Sequence, residues 1–246
     1  MNVLNLDYMV LASIVFTSVV QSIFGVGVLL FGTPILLLLG YDYPVILSTL
    51  LPISITISLT QIVRDFRQID FRFMRGILIY TVPFIVGFLL IALHSTKQLG
   101  MLIALILLLF ALKNVYRPLD KTLAKLARFE ITWLAFTGII HGLTNLGGSL
   151  LTILVQQRGY PKDKARATIA TAYVLFASFQ LATLLIAGSF AHNTALGSAG
   201  YAFVGICVYL ATNEWLFKRL NAQTYATAFS GFLFCSSVLV GLKTIL

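Results

Sequence analysis

The chain has 246 residues, of which 59% are hydrophobic and only 10% charged, and its mean hydropathy is +0.96. A water-soluble enzyme of this length carries far more charge, so that class is excluded. The net charge of +9 does not mark a nucleic-acid binder either, because the basic residues sit in short connections between apolar runs.

Residues 1–7 contain no Lys or Arg, so no cleaved signal peptide is expected and the first apolar run is kept. That run, 8–39, is interrupted near its middle by Phe24-Gly25-Val26-Gly27. Ordinary spanning helices are predicted over 44–63, 76–93 and 99–115. A second interrupted run, 131–157, carries Thr144-Asn145-Leu146-Gly147-Gly148 at its centre. Three further spans follow over 167–187, 195–215 and 225–242. No polar stretch is long enough for a second domain, so 1–246 reads as one all-α polytopic membrane domain.

Charge sets the sidedness. Arg64, Arg67, Arg72 and Arg75 follow the first full span, and Lys113, Arg117, Lys121, Lys125 and Arg128 mark the linker 116–130. Arg158, Lys162, Lys164 and Arg166 form a third basic connection, with Lys218 and Arg219 in a fourth; all four are predicted cytoplasmic. The run 131–157 then has a cytoplasmic loop on each side, so it enters and leaves on one face, and 8–39 does the same on the outer face. Val28 to Leu39 as helix reaches about 18 Å against a hydrocarbon core of about 30 Å, which favours helix–break–helix hairpins. Repeat one (8–115) and repeat two (131–246) each become a re-entrant hairpin plus three transmembrane helices, inverted with respect to each other, with both termini outside. The pairing of Gln21-Ser22-Ile23-Phe24-Gly25-Val26-Gly27 with His141-Gly142-Leu143-Thr144-Asn145-Leu146-Gly147 agrees, as does that of Gly40-Tyr41 with Gly159-Tyr160.

Matched breaks at membrane depth point to a transport site, since non-helical backbone there needs a polar cavity or protein to satisfy it. The opposing reading is that the glycines only permit close helix packing. The half-helices beginning near Gly27 and Gly148 would turn positive N-termini toward the centre, a setting that binds anions without a buried Lys or Arg. The expected anion-contacting set is Gln21, Ser22, Gly25, Gly27, Thr33, His141, Thr144, Asn145, Gly147, Gly148 and Ser149, with Thr152 a further hydroxyl. His141 either binds a proton or donates to the anion, or is a neutral ring bonded to a carbonyl of the broken helix; both stay open. Thr49, Thr56, Thr168, Thr171, Gln61 and Gln180 read as helix–helix contacts. Trp133, Trp215, Tyr225, Tyr8 and Tyr116 read as interface anchors. Glu130 and Glu214 read as solvated or paired with Lys218 or Arg219, and Cys207 and Cys235 as small core residues. Neither cysteine has ligand-type neighbours, so no metal and no cofactor are expected.

Two segments carry a family resemblance: Gly25-Val26-Gly27-Val28-Leu29-Leu30-Phe31-Gly32-Thr33-Pro34 and Gly142-Leu143-Thr144-Asn145-Leu146-Gly147-Gly148-Ser149-Leu150-Leu151. Each leads into an apolar half-helix, a Gly-Tyr turn and a proline, and together they resemble the sulfite-exporter TauE/SafE family. The first departs from the family's longer glycine run at Val26 and Val28. The resemblance implies a permease of a prokaryotic cytoplasmic membrane for sulfite, sulfoacetate or a related organosulfonate. The partners expected are that small anion, the lipid bilayer and a second copy of the chain as a homodimer, with no nucleic acid. The mechanism expected is export by alternating access. The alternatives are an anion-selective channel, an importer or proton-coupled permease of a related anion, and, from another class, a membrane enzyme or assembly factor.

Overall fold

The computed structural model describes residues 7–24, 27–94, 96–191, 195–219 and 222–245, apart from the side chains of 23–24, 96–98, 114, 162, 195–198, 213–219, 222–230 and 232. All regular structure among them is helical. In chain order the helices are α1 (Tyr8–Phe24), α2 (Val28–Leu39), α3 (Tyr43–Asp65, extended by a 3-10 turn), α4 (Phe71–Tyr80), α5 (Val82–His94) and α6 (Thr96–Val115). They continue as α7 (Arg117–Leu126), α8 (Glu130–Thr144), α9 (Gly148–Gln157), α10 (Lys162–Ile186), α11 (Ala195–Arg219) and α12 (Ala222–Ile245).

Three stretches are long and apolar enough to cross a membrane: Tyr43–Gln68, Phe71–His94 and Asp163–Ile186. They contain the spans predicted over 44–63, 76–93 and, but for its last residue, 167–187. The predicted span 99–115 takes in the first arm of a bent pair, Leu99–Lys113 with Arg117–Leu126, bent by 108° at the break, which counts as a fourth crossing if taken together. The linker 116–130 is therefore largely helix rather than a bare connection. Pro118 in the first turn of α7 starts it, and Leu123 is the residue it buries. The last two predicted spans correspond to α11 and α12, 25 and 24 residues long.

Local chemistry accounts for the ends and joints. Gly40 takes φ 96° and closes α2, and Tyr41 N–H bonds back to Leu36 O. Pro44 lies in the first turn of α3, where its missing amide costs nothing. Pro83 lacks the amide that would continue the ladder across the α4–α5 joint, and the break at Thr81 sits two residues ahead of it. Gly138 and Gly142, four apart on α8, let that helix close on the joint: a Cβ there would sit 2.4 Å from Thr81 O and 2.6 Å from Ile85 O. For this pair, close packing is the role of the glycines.

Two antiparallel pairings organise the bundle. Arg166 bonds Asp65 at 2.9 Å at one end of the α3–α10 pair, and Ala191 N bonds Ser48 Oγ at 3.1 Å at the other. α6 and α12 pair likewise, with Gly100 against Thr244 and Ser237 Oγ donating to Ala104 O. The hairpin α1–α2 lies on α11 and α3, and the hairpin α8–α9 on α5 and α10. Because α3 and α10 run in opposite directions, the Gly-Tyr turns that feed them lie at opposite ends of the molecule. Cys207 and Cys235 are exposed on the outer faces of α11 and α12, which corrects the core reading. In a chain whose exterior meets lipid, an apolar neighbourhood in sequence does not say which side of a helix faces inward.

Candidate functional site

Each break folds back on its own hairpin in the same way. At the first, a Cβ on Gly27 would lie 2.5 Å from Gln21 N and 2.6 Å from Thr17 O. At the second, a Cβ on Gly147 would lie 2.5 Å from the His141 Cβ and 2.6 Å from Thr137 O. The paired residues are 120 positions apart in every case. The arms are short, 12 residues in α2 and 10 in α9, or about 18 and 15 Å. Phe16 meets Phe31 edge-on across the first hairpin, and Trp133 Nε1 donates to Leu150 O at 2.9 Å across the second. Trp133 is 4% exposed, so it staples the hairpin and is not an interface anchor. Tyr8 and Tyr116 are exposed as expected; the side chains of Glu214, Trp215, Lys218, Arg219 and Tyr225 lie outside the described residues.

The tip of the second hairpin meets the middle of α2. Asn145 caps α8 in the left-handed region at φ 64°, with its N–H bonded to His141 O. Its Nδ2 donates to Thr33 Oγ1 of α2 at 3.0 Å, a contact between residues 112 apart. The Thr33 hydroxyl donates to Leu29 O at 2.7 Å, so toward Asn145 it presents a lone pair. That fixes the amide orientation and leaves Asn145 Oδ1, fully buried, without a donor among the described residues.

Behind the tips, the paired residues Gln21 and His141 are both fully buried but bonded differently. Gln21 Oε1 accepts from Val28 N at 3.0 Å, capping α2 from inside, and its Nε2 donates to Ser58 Oγ at 3.1 Å. His141 Nε2 lies 3.1 Å from Gln180 Oε1, while Gln180 Nε2 donates to His141 O at 3.5 Å. The histidine partner is thus a side-chain amide of α10, not a carbonyl of the broken helix, and Nε2 carries the hydrogen. His141 Nδ1 has no partner among the described residues. The ring packs on Phe176 and Tyr173, with centroids 4.7 and 6.1 Å away.

Several expected hydroxyl donors are already committed. Ser22 donates to Val19 O and accepts from Thr212, Thr144 donates to Ile140 O, and Thr152 donates to Gly148 O. Thr49, Thr56 and Thr171 also bond their own helix rather than a neighbour. Gln180 does join two helices, whereas both amide atoms of Gln61 and the Thr168 hydroxyl are buried without partners among the described residues. Gly147 and Gly148 are buried at the start of α9, and Ser149 Oγ beside them is buried without a partner among the described residues. Gly25 lies outside the described residues. The structure thus gathers Gln21, Thr33, His141, Asn145, Gly27, Gly147, Gly148 and Ser149 around the hairpin tips, and turns the hydroxyls of Ser22 and Thr144 back on their own helices.

Tyr173 was not among the residues expected at the site. It is fully buried in α10, its hydroxyl has no partner among the described residues, and a Cβ on Gly148 would sit 1.4 Å from that oxygen. A usable signal existed: a tyrosine near the middle of a span, away from both interfaces, has to find a partner for its hydroxyl. No group of three or more His, Cys, Asp or Glu that could hold a metal occurs among the described residues.

At the end of the bundle bearing the α9–α10 turn, charges cross between elements. The Tyr160 hydroxyl donates to Asp70 at 2.5 Å, Arg158 pairs with Glu130 at 2.5 Å, and Lys164 lies 4.0 Å from Asp70. Glu130 is therefore paired with Arg158; the side chains of Lys218 and Arg219 lie outside the described residues. At the opposite end the Tyr41 hydroxyl donates to Asp7, and Lys243 caps α2 through Leu37 O and Leu38 O, each at 3.0 Å.

The family model described as Sulfite exporter TauE/SafE matches residues 10–240. No curated protein and no solved structure matches the chain.

Proposed function

The chain belongs to the sulfite exporter TauE/SafE family, whose members are membrane transporters, and from that premise we propose that it exports a small sulfur oxyanion by alternating access. The anion rests between the hairpin tips and leaves when one repeat rocks against the other. The observation that carries this is the hydrogen bond between the hairpins, from Asn145 Nδ2 to Thr33 Oγ1, with polar atoms of Asn145, His141, Ser149 and Tyr173 that have no partner among the described residues on the same hairpin and its neighbour α10. Buried polar groups cost free energy unless something satisfies them, and a ligand that visits the site does so.

The antiparallel α3–α10 and α6–α12 pairs, and the matched packing of the two breaks, support two inverted repeats with the hairpins re-entrant. The basic end, with Arg64, Arg158 and Arg166, faces the cytoplasm on the charge rule. Sulfite, sulfoacetate and other organosulfonates are the substrate class. An interior-negative potential favours exit of an anion by about 2.3 kcal/mol per charge per 100 mV, so no coupling ion is required.

Purified protein in proteoliposomes loaded with sulfite tests the proposal. Efflux should rise when the inside is made negative by a potassium gradient and valinomycin, and should saturate and show counterflow. Flux indifferent to potential but driven by a pH gradient would replace potential-driven export with proton coupling. Flux that never saturates would replace the carrier with a channel.

A further inference from the structure

The two hairpin tips are chemically unequal. At the first, the Val28 amide is taken by Gln21 Oε1, so this helix start is capped from within. At the second, no side chain caps α9 at Gly147, and two hydroxyls beside it, Ser149 Oγ and Tyr173 Oη, are buried without partners among the described residues. The tyrosine ring lies directly against Gly148, where a side chain would otherwise stand. The start of a ten-residue helix, with a fully buried phenol against it that has no partner among the described residues, is a built site for oxygen acceptors.

The same tip also offers acceptors. Thr33 fixes the Asn145 amide so that Oδ1 is the free atom, and Gln180 fixes the imidazole so that Nδ1 is the unprotonated one. A fully ionised oxyanion has nothing to give these two atoms. An oxyanion that keeps one hydrogen on oxygen both accepts from the hydroxyls and donates to an acceptor.

We infer that the ligand is held at the second tip, that Tyr173 is its specificity-determining donor, and that the transported form is a singly protonated oxyanion such as hydrogen sulfite. This rests on the reading of the chain as a sulfur-anion transporter and narrows its substrate. Tyr173→Phe keeps the ring against Gly148 and His141 and removes only the hydroxyl.

The experiment measures sulfite flux in proteoliposomes for wild type, Tyr173→Phe, Ser149→Ala and Thr183→Ala, with the amount of inserted protein determined for each. Loss of one hydrogen bond to a charged ligand is expected to lower flux roughly 10- to 100-fold in Tyr173→Phe. Thr183→Ala should match wild type, since that hydroxyl only bonds Phe179 O in its own helix. Wild-type flux in an inserted Tyr173→Phe overturns the assignment. If that variant does not insert, Ser149→Ala decides on the same scale, and undiminished flux there overturns it. Methanesulfonate, which carries no acidic hydrogen, should compete at least tenfold more weakly than hydrogen sulfite, and equal competition removes the protonated form. A wild-type protein that moves no sulfite at all instead refutes the transporter reading on which the inference stands.

Discussion

Glycine occupies positions 27, 147 and 148 for a different reason from position 159. At 27 a Cβ would run into backbone of the preceding arm at 2.5–2.6 Å, at 147 into the His141 Cβ at 2.5 Å and the Thr137 carbonyl at 2.6 Å, and at 148 into the Tyr173 hydroxyl. At 159 there is open space, but φ is 62°, a conformation that L side chains rarely adopt. Gly147→Ala has to push the two arms of the hairpin apart, whereas Gly159→Ala meets only local strain of about 1–2 kcal/mol. Thermal unfolding of the detergent-solubilised proteins should therefore show a much larger loss for Gly147→Ala, with Gly159→Asn milder than Gly159→Ala. Equal losses at both positions would mean that the close approach at 147 carries no weight. At this scale the sequence announced where the breaks are but not what each glycine touches. The partner atoms, Thr17 O and Thr137 O, are ordinary backbone groups that no residue type advertises.

Among the elements, the two hairpins are the parts whose chemistry depends on meeting each other. Glycine interruptions within apolar runs too short to cross twice were enough to expect helix–break–helix units, and α1–α2 and α8–α9 are such units. Which side chain joins them was not legible, because Thr33 and Asn145 are 112 residues apart. Asn145 has two separable roles: its backbone supplies the left-handed cap of α8, and its side chain reaches Thr33. Asn145→Gly keeps the first and deletes the second. The glycine variant should insert normally and lose at least about tenfold in sulfite flux, in line with one hydrogen bond at a charged site. Undiminished flux in Asn145→Gly would show that the bond between the hairpins is dispensable. The same distance effect explains Trp133, whose place near a span end read as an anchor until the fold brought Leu150 O to its indole.

For the molecule as a whole, the ends are tied by carboxylates. The Tyr160 hydroxyl above all, helped by the Phe73 amide and the charges of Lys164 and Arg158, holds the Asp70 carboxyl below its ordinary range against the opposing effect of burial, which is second in size only to the Tyr160 bond. At the other end the Tyr41 hydroxyl, then the Met9 amide, does the same for Asp7. A carboxyl whose folded value is lowered stabilises the fold fully above its unfolded value of about 4, and that contribution is lost as pH falls below it. The thermal midpoint of purified protein should therefore drop as pH is lowered from 5 to 3, and Asp70→Asn should flatten part of that drop while leaving the slope between pH 6 and 8 unchanged. Identical acid profiles for variant and wild type would show that Asp70 is not part of the latch. Tyr160 crosses from the α9–α10 turn to the start of α4, so this latch joins the two halves at the basic end.

Composition and periodicity alone determined that the chain is a helical membrane protein, where its breaks fall, and which loops are basic. Those properties are local, set by how far a run of apolar residues reaches and by where charge can stay in water. The tertiary structure alone decided that Tyr173 stands at the start of α9, that the Gln21 side chain closes the first tip while no side chain caps the second, and that Cys207 and Cys235 face outward. Lipid and protein interior are both apolar, so a sequence does not distinguish the buried face of a membrane helix from its outer one; helix packing does.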